Sequence, residues 1–150
     1  MINSVIRDID GIRTGIHVCR GNWSRREDVL LSGDYELLVP AFLNMDVDQY
    51  VLEYATPRAG EIAVVGKALG WKEIGLGVSN PRTADVETPE YIISRVREAL
   101  QYFKPASIFL NPDCGSGCFA QRCVNDADTA SRKLESMAAA ARYLNDTCSR

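Results

Sequence analysis

Histidine is nearly absent from this chain. His17 is the only one in 150 residues, so no second imidazole is on hand to donate a proton elsewhere. A strong excess of charge of one sign is missing as well: 17 Lys and Arg against 20 Asp and Glu leave a net charge of −3. That argues against nucleic acid or an anionic membrane as partner. No apolar run reaches the roughly 18 residues of a membrane span, and Met1-Ile2-Asn3-Ser4-Val5-Ile6-Arg7 lacks a signal-peptide pattern. Five cysteines is an odd number, which excludes complete internal pairing. With no secretion signal, the expectation is thiols that are reduced, buried or metal-bound in the cytoplasm. The rest of the composition is ordinary, with 46% hydrophobic and 25% charged residues. The length suits one domain over residues 1–150, and no linker or low-complexity stretch divides it.

Four short apolar runs read as buried parallel strands, at 14–19, 49–54, 73–78 and 107–110. Helical patterns alternate with them. One begins at Asp34, carries Phe42, Leu43 and Met45 on its apolar face, and has Pro40 in its interior, where a kink or break is expected. A second starts at Gly60 and ends near Gly70. Thr88-Pro89-Glu90 opens a third with a cap residue, a proline at the first helical position and an acid in the first turn. The last, from about Asp126 to Leu144, is Ala-rich with Leu134, Met137 and Ala141 on one stripe. Residues 2–9 read as the tail of a helix. This alternation predicts an α/β fold with a parallel sheet.

The polar residues gather at one edge of that sheet. In a strand, residues two apart share a face, so His17 and Cys19 in Gly15-Ile16-His17-Val18-Cys19 project side by side. An imidazole and a thiol are two preferred zinc ligands, although a buried strand also carries such residues as plain packing. Glu53 ends the second strand and Cys114 follows the fourth, so all four lie at the carboxyl ends of parallel strands. A buried carboxylate needs a partner, and an ion pair with a neighbour such as Arg58 is the bland account of Glu53. One His, two Cys and one Glu would also satisfy tetrahedral zinc.

Gly15-Ile16-His17-Val18-Cys19-Arg20-Gly21-Asn22, Val51-Leu52-Glu53-Tyr54, Leu76-Gly77-Val78 and Asn111-Pro112-Asp113-Cys114-Gly115 occur in that order. Together they resemble the C-terminal catalytic barrel of cobalamin-independent methionine synthase and its shorter core-type relatives, zinc-dependent thiol methyltransferases. The likeness runs through nearly the whole chain. It implies that His17, Cys19, Glu53 and Cys114 are the zinc ligands, that residues 107–114 form the last barrel strand, and that the reaction is methyl transfer to the sulfur of homocysteine. Glu53 would be the most easily displaced ligand, opening a position for the incoming thiol. Asp113 and Asn111 would orient the site or cap the final helix.

The resemblance also implies two departures. A complete (β/α)₈ barrel takes about 250 residues, and the four strand–helix units here correspond to the second half of a TIM barrel. Two open sheet edges and an uncovered face would then be closed by a second copy in a homodimer or by a separate N-terminal half-barrel subunit; a truncated remnant is the other possibility. In the folate-dependent enzymes a histidine in the loop after the seventh strand is associated with protonating the folate. Here Arg82 stands at that position, and arginine is a poor proton donor suited to binding an anionic group. A methyl-corrinoid is therefore favoured over methyl-folate as donor. A non-catalytic zinc-binding half-barrel and an alkyltransferase using another small thiol such as coenzyme M are the rival readings. Cys118 and Cys123 are expected to be loop thiols, a three-thiol cluster with Cys114 being the alternative, and Cys148 is expected to be exposed.

Overall fold

The computed structural model describes residues 1–117 and 121–148. After a short helix α1 (Ile2–Ile6), four strands alternate with helices: β1 (Gly15–Val18), α2 (Val39–Leu43), β2 (Gln49–Leu52), α3 (Ile62–Leu69), β3 (Glu73–Ser79), α4 (Pro89–Ala99), β4 (Ile108–Pro112) and α5 (Ala127–Cys148). All neighbouring strands are parallel, in the order β1-β2-β3-β4. A sheet whose spatial order follows its chain order has every crossover stepping the same way, as in a barrel; a doubly wound sheet reverses direction partway. The fold is thus α/β, four βα units forming half of a (β/α)₈ barrel.

Register explains the layering. The row Ile16, Tyr50, Ile74, Ile108 and the row Val18, Leu52, Leu76, Leu110 run across the strands and belong to the hydrophobic core. Tyr50, Leu52, Ile74 and Leu76 are buried there together with Ile62, Val65, Ile92, Val96 and Met137 from the helices. The alternate row, His17, Val51, Gly75, Phe109, lies on the opposite face. Burial on both faces holds for the central strand β3, whereas the outer strands β1 and β4 are half exposed. An edge strand has a neighbour on one side only, so continuous burial was expected of too many strands.

Three helical details depart from the sequence reading. Pro40 does not kink a helix; it lies in the first turn of α2, where its missing N–H costs nothing, and a separate 3₁₀ turn, Glu36–Leu38, precedes it. Leu43, expected on the apolar face, is 52% exposed, and Tyr35 and Phe42 fill the core instead. On α5, Leu134 is 55% exposed while Met137, Ala140 and Leu144 pack inward. The cap at Thr88 forms as expected, its side chain accepting from the backbone N–H of Tyr91 at 3.2 Å. Among the described residues no helix is long and apolar enough to cross a membrane.

Gly77 is where β3 admits the site. A Cβ there would run into the Asp113 carboxyl and into the backbone at Leu52 O (2.8 Å) and Tyr54 N (2.9 Å). Backbone cannot step aside cheaply, so Gly77→Ala is expected to lower stability by about 3 kcal/mol or more, read from a denaturant titration. A change under about 1 kcal/mol would contradict this packing.

Candidate metal centre

The ends of three strands bring four donors together. His17 from β1, Cys19 just beyond it, Glu53 just past β2 and Cys114 just past β4 offer ligand atoms that all lie within 4.8 Å of one another. His17 Nδ1 sits 3.2 Å from the carbonyl of Val51, its register partner on β2. Donation from Nδ1–H to that carbonyl leaves Nε2 as the free lone pair facing the group. Nε2 is 3.8 Å from Glu53 Oε1.

Glu53 is buried to 1% exposure, and its backbone is gripped by a residue outside the group. The Tyr35 hydroxyl accepts from the Glu53 N–H at 2.9 Å and donates to its carbonyl at 3.4 Å. Its carboxylate oxygen Oε2 accepts from the Arg20 N–H at 2.9 Å and the Asn22 amide at 2.7 Å, while Oε1 is buried with no hydrogen-bond partner. Burial raises the pKa of this carboxyl, opposed by the Arg20 N–H, the Asn22 amide and the neighbouring Cys19 and His17. An orphaned buried carboxylate oxygen beside an imidazole and two sulfurs fits a cation, and a donor set of one N, two S and one O fits zinc.

Asp113 lies beneath this group, 1% exposed. Oδ1 accepts from the Ala55 N–H at 2.9 Å, so the carboxyl ties the end of β4 to the chain leaving β2. Burial pushes its pKa up to about 7, with the Ala55 N–H opposing and the Glu53 charge adding to the rise. In the metal-free chain the folded state therefore holds a proton that the unfolded chain has released. The contribution of this group to stability is greatest below about pH 4 and falls as pH rises towards about 7, because the unfolded state binds fewer protons at this carboxyl across that window. Asp113→Asn keeps an acceptor for Ala55 and should flatten much of this slope in denaturant midpoints measured across the window. An unchanged slope would contradict it.

Arg82 is not in the donor group. Its Nε donates to Ser24 O at 2.7 Å and its Nη2 to Arg25 O at 3.1 Å, while its backbone N–H donates to the Asn80 side chain. It ties the loop after β3 to the loop after β1. Cys123 is exposed and also outside the donor group, and Cys118 and the side chain of Cys148 lie outside the described residues.

The sequence reading passed over the residues that hold Glu53. Arg20 is 7% exposed; its guanidinium lies 4.9 Å from the Tyr35 ring centroid and donates to the carbonyls of Leu31, Gly33 and Arg58. Gly21, at φ +101°, makes the turn between Arg20 and Asn22, and a Cβ there would meet Val29 O at 2.5 Å. The available signal was the polar Arg20-Gly21-Asn22 stretch directly after the candidate ligands. Lys133 was likewise hidden in an Ala-rich helix: it is buried and reaches Glu87 at 3.1 Å, which in turn accepts from Ser79 and Asn80 at the end of β3.

Comparison with known proteins decides the family. The family model described as "Cobalamin-independent synthase, Catalytic domain" matches residues 12–143. The chain belongs to that family. Among curated relatives, the methionine synthase of Pyrococcus abyssi is 30% identical over 143 residues, covering 95% of this chain and 36% of the relative. That of Pyrococcus horikoshii is 31% identical over 114 residues, covering 76% and 30% respectively. This member of the cobalamin-independent synthase family thus spans about a third of the curated relatives it matches. A B12-independent methionine synthase from Shewanella sp. W3-18-1, solved with selenomethionine, superposes with a TM-score of 0.76 at 19% identity, covering 97% of this chain and 42% of that one. The likeness supports the half-barrel architecture.

Proposed function

We propose that this chain is the zinc-bearing half of a methyltransferase of methionine-synthase type, in which His17, Cys19, Glu53 and Cys114 hold a zinc ion and a small thiol, homocysteine, accepts a methyl group on sulfur. The convergence of four suitable donors within 4.8 Å at strand carboxyl ends carries this reading, and family membership over residues 12–143 supports it. Zinc bound there supplies Lewis acidity that favours the thiolate form of a substrate thiol near neutral pH.

The protein's own groups set up the rest. His17 is oriented through the Val51 carbonyl. Two thiolates and a carboxylate outweigh the charge of a divalent cation, so the site is electron-rich and a sulfur nucleophile there is not quenched. With zinc bound, Glu53, whose carboxylate is hydrogen-bonded through Oε2 alone, would be the ligand best placed to yield a position to the acceptor. Asp113 orients the Cys114 end of β4, and Arg82 tethers the loop that follows the His17 strand. The donor reading rests on His17 being the only histidine, which leaves none to protonate a folate. In a methyl-corrinoid the carbon–cobalt bond breaks with its electron pair staying on cobalt, the new carbon–sulfur bond uses the thiolate pair, and no acid is needed. The open inner face at His17 and Phe109, on the two outer strands, is where a second copy or a first-half barrel unit would close the site.

Zinc-loaded chain incubated with homocysteine or coenzyme M, and with methylcobalamin or methyl-folate, tests the reading. Homocysteine S-methylation with methylcobalamin is expected. Activity with methyl-folate alone contradicts the donor assignment. Stoichiometric zinc without transfer to either thiol supports the non-catalytic rival, a zinc-binding half-barrel subunit.

A further inference from the structure

The turn after β1 aims two donors at one carboxylate oxygen. The Arg20 N–H and the Asn22 Nδ2 both reach Glu53 Oε2, and the same Asn22 nitrogen donates to Asp113 Oδ2 at 3.3 Å. Asn22 is only 3% exposed. A single neutral amide therefore stands between two buried carboxyl groups that come from the ends of β2 and β4. In this orientation Nδ2 serves both carboxyl groups, while Oδ1 is buried without a hydrogen-bond partner. An amide NH₂ has two hydrogens, one for each acceptor. No other short side chain offers that, since serine has one hydrogen and aspartate would add a third carboxyl.

The consequence falls on the other oxygen of Glu53. With Oε2 saturated, Oε1 is left buried and unpartnered, 3.8 Å from His17 Nε2. We infer that Asn22 is a positioning residue of the metal centre, pinning Oε2 so that Glu53 presents Oε1 alone to the ion and bracing that carboxylate against Asp113. This inference rests on reading His17, Cys19, Glu53 and Cys114 as the ligands. Nothing in it requires Asn22 to touch metal or substrate; it acts through Glu53.

Cobalt(II) loaded into the purified 150-residue chain gives a readout independent of turnover. Its thiolate-to-cobalt absorption reports Cys19 and Cys114, and its ligand-field bands report coordination geometry. Wild-type chain should show both. Asn22→Ala should keep the thiolate absorption, alter the ligand-field bands and weaken cobalt binding by about tenfold or more in competition with a chromophoric chelator. Asn22→Ser, which keeps one hydrogen, should recover part of that loss and serves in place of the alanine variant if the latter does not fold. In a Glu53→Gln background the same substitutions should change affinity by less than about twofold, because their partner is already altered. Unchanged bands and affinity in both Asn22 variants, or equal losses in both backgrounds, overturn the role of Asn22 and leave the metal assignment standing. A wild-type chain without thiolate-to-cobalt absorption overturns the metal assignment and the inference together.

Discussion

Cys19→Ser and Cys114→Ser should each weaken zinc binding by a factor on the order of 100 to 1,000, while Cys123→Ser leaves it unchanged. Structural zinc sites are worth about 10–16 kcal/mol across four ligands, so one ligand accounts for roughly 3–4 kcal/mol. A hydroxyl in place of a thiolate is a poor substitute for a borderline-soft ion. Cys19 and Cys114 belong to the donor group, at the ends of β1 and β4, and no alternative donor among the described residues joins them there. Cys123 is exposed and outside that group. Competition with a chromophoric chelator on each purified variant gives the comparison. Equal loss with Cys123→Ser would point instead to a thiol cluster in the loop after β4.

Arg20→Ala is expected to cost about 3 kcal/mol of stability, the largest effect of any single polar truncation near the site. The guanidinium is buried, stacks over Tyr35 and through Nη2 reaches carbonyls on two segments, Leu31 and Gly33 in the loop after β1 and Arg58 after β2. Removing it strands those acceptors and loses a desolvated cation–π contact. Arg20→Lys should restore less than half, because a compact ammonium does not reproduce the flat contact of the guanidinium over the Tyr35 ring. Denaturant midpoints with unchanged slopes measure both variants. A loss below about 1 kcal/mol, or full rescue by lysine, would contradict the role given to this side chain.

Much of the sheet was legible because strand and helix leave different spacings. The stretches Tyr50-Val51-Leu52 of β2 and Ile74-Gly75-Leu76-Gly77-Val78 of β3 carry no charged or amide side chain, and Thr88-Pro89-Glu90 announced α4 by cap chemistry that the structure realises. The donor group was legible for a related reason: strand carboxyl ends share an edge in any parallel sheet, so His17, Cys19, Glu53 and Cys114 could be brought together from three short stretches. What holds Glu53 was not legible. Tyr35 lies 18 residues from it in the chain and meets it only through the fold. Asn22 reads as a loop polar residue until the turn at Gly21 carries it inward. Pro40 was misjudged because a proline inside an apolar pattern looks the same as one in a first turn until the preceding 3₁₀ turn is known.

The central claim is a zinc ion shared by one imidazole, one carboxylate and two thiolates. X-ray absorption at the zinc edge of the purified, zinc-loaded chain tests it most directly. The expected shell holds two sulfurs at about 2.3 Å and two lighter donors at about 2.0–2.1 Å. A shell of three or four sulfurs, one without sulfur, or a chain that retains no zinc would contradict it.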